Sequence, residues 1–164
     1  MKNPHSTRHF LYGLLLALVV LAFDQWSKFL LVDELIRRGG EGIEVLPFFK
    51  LIMVWNHGIS FGMLADSGDM RRWLLIGMAG VITLLMLVWL WRVASMRLTL
   101  ALGMVIGGAL GNIIDRFRWG AVADFFYFHH GEWYWPAFNI ADSAIFIGVV
   151  LLCWDSIVNP EKPA

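Results

Sequence analysis

Two carboxyl groups stand where nothing nearby in sequence neutralises them. Asp124 lies within Val122-Ala123-Asp124-Phe125-Phe126, and Asp142 leads into the apolar run Ala144–Trp154. Ionisable groups in or beside such runs are costly and mark function by default. Two acids brought together without bases share one proton, because low dielectric and mutual repulsion disfavour the doubly charged pair. Such a pair can activate water with one carboxyl and polarise a carbonyl with the other.

Further polar groups accompany them. Asp24 and Lys28 have i, i+4 ion-pair spacing, which mutual neutralisation at an interface would also explain. Asn139 and Asp142 share a helix face at i, i+3; there Asn139 could equally be an N-cap or a helix–helix hydrogen bond. Asn112 precedes Asp115 by three residues and Arg116 by four, so all three crowd one helix end.

Other chemistries fit less well. There is no HExxH motif, and the adjacent His129 and His130 are badly spaced for two ligands on one helix face. These two and His57 read as interfacial loop residues. Ser27 and Lys28 point about 100° apart on a helix, which argues against a Ser–Lys dyad. Ser60 and Ser143 have no nearby lysine in sequence, and Gly107, Gly108 and Gly111 form no phosphate loop. The single Cys153 sits in an apolar run and reads as a core thiol.

The elements that must position these residues are membrane helices. The 164-residue chain is 59% hydrophobic and 16% charged, against roughly 45–50% and 25% in ordinary soluble domains. Lys+Arg and Asp+Glu balance at 13 each, so no bulk charge points to nucleic acid. Nine Trp argue for interfacial anchoring. Four apolar runs, about 10–32, 73–91, 98–115 and 137–155, are each near the length that spans a bilayer. No small-residue cleavage site follows the first, so it reads as a retained span. The expected fold is a single-domain, membrane all-α, four-transmembrane-helix bundle.

Residues 33–72 read as a small extramembrane β platform. Within it Ile43–Trp55 favours one or two short strands, with Pro47 between them or at an edge. Residues 115–136 read as a polar and aromatic loop. Gly103, Gly107, Gly111 and Asp115, at intervals of four, form a stripe of small residues that ends on an acid, suited to close helix packing. Lys2, Arg8, Arg92 and Arg97 flank short segments without acids, which puts both termini on the cytoplasmic side. Asp24, Lys28, Asp115, Asn139 and Asp142 then converge at one depth near the outer face.

The boxes Phe23-Asp24 with Lys28, Asn56-His57-Gly58 with Phe61, Gly107-Gly108-Ala109-Leu110-Gly111-Asn112-Ile113-Ile114-Asp115-Arg116, Val122-Ala123-Asp124-Phe125 and Phe138-Asn139-Ile140-Ala141-Asp142 together resemble lipoprotein signal peptidase (signal peptidase II). They occur in that family's order over most of the chain. The Asn56 box departs from the family pattern at Ile59-Ser60, where two alanines often follow the glycine.

The resemblance implies an aspartyl endopeptidase of the bacterial inner membrane with its site at the periplasmic face and the platform on that side. It would cut a diacylglyceryl-modified prolipoprotein just before the lipidated Cys. Asp124 and Asp142 match the catalytic pair. Asp24, Lys28, Asn56, Gly58, Gly108, Asn112, Asp115, Arg116, Asn139 and Ala141 match supporting positions, with Arg116 as a fixed partner of Asp115. No cofactor or metal is implied. The partners are the prolipoprotein and membrane lipid, not nucleic acid. The protein is expected to act as a monomer, and inhibitors of the globomycin type to occupy the pair. Two other readings remain at this level: a small proton-coupled transporter using Asp24, Asp115 and Asp142 as a relay, and a non-enzymatic membrane scaffold.

Overall fold

Four long helices and a small antiparallel sheet are arranged around the third helix. The computed structural model describes residues 4–58 and 68–159. Ile59-Ser60, Phe61 and the platform's end near Ala65 lie outside them.

α1 covers Pro4–Arg37, α2 Gly68–Arg92, α3 Met96–Trp119 and α4 Ile140–Val158. All four are long and apolar enough to cross a membrane. Each of the first three extends beyond its apolar run, so amphipathic turns continue the helix outside the apolar stretch. α3 is the centre of the bundle: 67% of its most apolar window is buried, against 17% for α2 and α4. It packs on α1, α2 and α4.

The glycine stripe explains how α1 and α4 come so close. A Cβ at Gly103 would meet the Gly13 carbonyl oxygen at 2.7 Å, and one at Gly107 would meet that of Ala17 at 2.5 Å. At Gly111 it would strike the Asp24 carboxylate, and at Gly108 the Ala141 carbonyl on α4. The stripe therefore seats α1, and Gly108 seats the first turn of α4. Leu, Phe, Val and Trp side chains on the outer faces of α1, α2 and α4 stay exposed, as lipid-facing positions require.

The sheet order is β1-β2-β3-β4. Of the one or two short strands expected, the structure has two: β1 (Ile43–Leu46) and β2 (Phe49–Asn56) pair antiparallel, with Pro47 in the turn between them. The expected loop over residues 115–136 is instead the end of α3 followed by β3 (Val122–His130) and β4 (Trp133–Tyr134). β3 pairs with β2 from Phe49↔Phe128 to Asn56↔Val122. Gly120 makes the switch from helix to strand: its φ of 79° is left-handed, and its N–H donates to the Arg116 carbonyl at 3.1 Å. His129 and His130 therefore lie on a strand rather than a loop.

Candidate active site

Three helix ends and two strands, β3 and the end of β2 at Asn56, deliver polar side chains to one place. Asp24, Gln25 and Lys28 come from α1, Asn112, Asp115 and Arg116 from α3, Asp124 from β3, and Asn139 with Asp142 from the start of α4.

They sort into two clusters. In the first, Lys28 Nζ lies 2.7 Å from Asp24 Oδ2 and 2.6 Å from Asp115 Oδ2, all three side chains being wholly buried. Asp24 Oδ1 accepts the Ala141 N–H at 3.0 Å, and Asp115 Oδ2 accepts the Ala123 N–H at 3.2 Å. Ala141 and Ala123 immediately precede Asp142 and Asp124. The ion cluster thus clasps the backbone on which each acid of the second cluster is carried. Gln25 joins it, donating to Asp115 Oδ1 at 3.0 Å and Asp24 Oδ2 at 3.2 Å. Gln25 belongs to none of the sequence motifs above, and its place directly after Asp24 is the one signal for it in the sequence.

The partner expected for Asp115 is corrected. Its ion pair is with Lys28, while Arg116 Nη1 donates to its own helix at the Asn112 carbonyl, 3.1 Å away. Lys28 is wholly buried and reaches from α1 to a carboxylate of α3, which lies close because the glycines let the two helices approach. The guanidinium of Arg116 still lies within electrostatic range of Asp142, Asp115 and Asp124.

In the second cluster the acids meet amides. Asn56 Nδ2 donates to Asp124 Oδ2 at 3.0 Å, and Asn139 Nδ2 donates to Asp124 Oδ1 at 2.8 Å. Asn112 Nδ2 donates to Asp142 Oδ1 at 2.8 Å. Asn139 is also the α4 N-cap in a capping box: its Oδ1 accepts the Asp142 N–H, and Asp142 Oδ2 accepts the Asn139 N–H. Capping and site roles, alternatives in the sequence, coexist in one side chain. Among the described residues neither Asp124 nor Asp142 has an ion pair.

Asp124 is buried, at 1% exposure. Burial, and next the charge of Asp142 beside it, raise its pKa to about 7, against the opposing hydrogen bond from Asn56. Gly58 holds Asn56 in place: at φ 81° it turns back so that its N–H donates to Asn56 Oδ1 at 2.9 Å. Two cavities flank the acids. One of about 600 Å³ is lined by Asn56, His57, Gly58, Asp124, Tyr127 and Tyr134 among others. The other, about 350 Å³, is lined by Trp135, Phe138, Asp142, Ser143, Phe146 and Ile147. The described residues include no group of three or more His, Cys, Asp or Glu arranged to hold a metal ion.

Fold and spans define a multi-pass membrane protein, and solved structures place it among membrane enzymes. A bacterial membrane enzyme determined by the in meso method at 2.3 Å resolution superposes with a TM-score of 0.74 at 31% identity, covering 93% of both chains. A second, at 1.9 Å, gives 0.72 at 28% identity, covering 92% of this chain and 94% of that one. The family model for signal peptidase (SPase) II matches residues 16–158. The lipoprotein signal peptidase of Beijerinckia indica subsp. indica is 42% identical over 149 residues, 91% of this chain and 89% of that protein. That of Methylorubrum extorquens is 42% identical over 153 residues, 93% and 90% of the two chains. The chain belongs to the signal peptidase II family and is a membrane peptidase.

Proposed function

We propose that this peptidase removes the signal peptide from diacylglyceryl-modified prolipoproteins, cutting just before the lipidated Cys, with Asp124 and Asp142 as the catalytic pair. The observation that carries the reading is the contrast in partners: Asp24 and Asp115 surround a lysine, whereas among the described residues Asp124 and Asp142 have no ion pair and accept from the amides of Asn56, Asn139 and Asn112. A pair without a dedicated cation can hold one proton between two carboxyls.

Asp124, with its raised pKa, holds that proton at rest and donates it to the scissile carbonyl oxygen as water attacks the carbonyl carbon. Asp142 takes the proton lost by the water. On collapse of the gem-diol, Asp142 returns a proton to the leaving amine and Asp124 recovers one from the hydroxyl. Asn139 and Asn112 orient the acids; Asn56 holds Asp124 and presents the platform end to substrate backbone.

The apolar cavity beside Asp142 supports seating of acyl chains, whose burial contributes about 0.8 kcal/mol per methylene. Lipid thereby sets the depth of the scissile bond, while the platform and the exposed Trp133 and Trp135 close over the peptide. The site faces the periplasm of the bacterial inner membrane with both termini cytoplasmic. The chain acts as a monomer without metal, and globomycin-type inhibitors occupy the pair.

The test is cleavage of a diacylglyceryl lipopeptide by purified protein in chelator. A single cut before the modified Cys is expected, with the unlipidated peptide cut far more slowly in the same micelles. Equal rates for the two peptides would remove the positioning role of lipid. Loss of activity in chelator, restored by zinc, would overturn the carboxyl mechanism.

A further inference from the structure

A third cavity, lined by basic side chains, lies beside the larger of the first two, where α2 begins and α3 ends. It measures about 290 Å³ and is lined by His57, Asp69, Arg71, Arg72, Trp119 and Gly120. Arg71 and His57 also line the larger cleft that reaches Asp124, so the two spaces are neighbours.

Among the described residues the lining carries more positive than negative charge. Two arginines face one acid, and among the described residues neither Arg71 nor Arg72 forms an ion pair with Asp69 or any other carboxylate. Arg72 uses one Nη on the Phe117 carbonyl, 2.7 Å away, in the last turn of α3. Its Nε is enclosed yet has no acceptor among the described residues. A guanidinium carries five donors in a fork suited to phosphate oxygens.

The depth is also specific. Trp73 packs edge-on against Phe117 at 5.4 Å, Trp55 against Trp119 at 5.6 Å, and Arg118 stacks on Trp119 at 4.6 Å. Aromatic rings at helix ends mark headgroup level. An anion held by Arg71 and Arg72 would therefore sit at the level of lipid phosphates.

We propose that the cavity at Arg71 and Arg72 binds the phosphodiester of a phospholipid headgroup. The acyl chains of that lipid lie along the outer faces of α2 and α3, where Met70, Trp73, Leu74 and Phe117 are exposed. The bound headgroup forms one wall at the mouth of the larger cleft, through the shared Arg71 and His57. A lipid bearing no phosphate, such as the diacylglyceryl group of a lipopeptide, has nothing to offer these arginines.

The experiment is a lipid titration of the full-length purified protein, read by native mass spectrometry, so it does not depend on peptidase activity. Short-chain phosphatidylglycerol, the matching diacylglycerol and inorganic phosphate are compared. Phosphatidylglycerol should bind more tightly than diacylglycerol, whose acyl chains reach only the cavity beside Asp142, and inorganic phosphate at equal concentration should fail to displace the lipid. Arg71→Gln should weaken binding about tenfold, the loss of one charge-assisted contact. Arg72→Gln should do the same, but it also removes the bond to α3, so Arg71→Gln decides. Arg37→Gln, on an exposed side chain of α1, is the control and should change nothing. Equal binding of diacylglycerol, or unchanged affinity in Arg71→Gln, overturns the site. Displacement by inorganic phosphate would assign it to a free anion and overturn the lipid.

Discussion

Asp24 and Asp115 are as deeply buried as Asp124, yet the two regions use their acids in opposite ways. Around Lys28 the carboxylates meet a cation, backbone N–H groups and Gln25, and nothing is left over for a substrate. Around Asn139 the acids accept, among the described residues, from neutral donors only, and they line two cavities. The first cluster is a clasp and the second is the one we propose for the chemistry. Burial alone does not distinguish them; the identity of the partner does.

The largest test of that difference is Asp124→Asn or Asp142→Asn. Each should lower peptide cleavage at least about 1,000-fold, because a catalytic pair works as a unit. Thermal unfolding in detergent should be little changed, since among the described residues neither acid has an ion pair to lose and the side-chain oxygen left in Asp142→Asn can still accept the Asn139 N–H. Substantial turnover by either variant would sink the pair.

Lys28→Met should do the reverse, acting on stability first. Removing one partner of a buried ion cluster costs about 3–5 kcal/mol, because the remaining charges stay uncompensated. Chemical denaturation in mixed micelles should show that loss, and activity should fall with it as Ala123 and Ala141 lose their anchors. A stable and fully active Lys28→Met protein would dissolve the clasp.

Gly111→Leu sits between the clusters. Its side chain must displace Asp24 and push α1 from α3, at about 1–3 kcal/mol for overpacking. An unchanged melting profile in detergent would contradict the packing.

The smallest effect is on pH dependence. Asp124 binds its proton more tightly in the folded protein than at its ordinary value of 3.8, so its contribution to stability is full below that value. It is lost as pH rises through about 7. Cleavage should decline over the same upper range, as the shared proton leaves. Asn56 donates to the ionised form and so lowers this pKa. Asn56→Ala should therefore slow cleavage and move the descending limb of the rate profile to higher pH. A limb that stays in place would remove Asn56 from the pair's electrostatics.

The sequence by itself determined what is local. Four apolar runs, the i, i+4 spacing of Asp24 and Lys28, the small-residue stripe and the short-strand character of Ile43–Trp55 all follow from helix or strand geometry within a few residues. So does the concentration of polar groups at helix ends, because the bilayer excludes them elsewhere. The tertiary structure decided what depends on rotation and register between elements. β3 reads as a loop until β2 supplies its hydrogen-bonding edge, since Val122–His130 lacks the alternation of a half-buried strand. Lys28 could be matched to Asp24 from spacing, but its second bond to Asp115 needed α1 and α3 in contact along the glycines. Asn139 binds Asp124 and Asp142 together only because a helix start and a strand are packed side by side, and no spacing along the chain encodes that meeting.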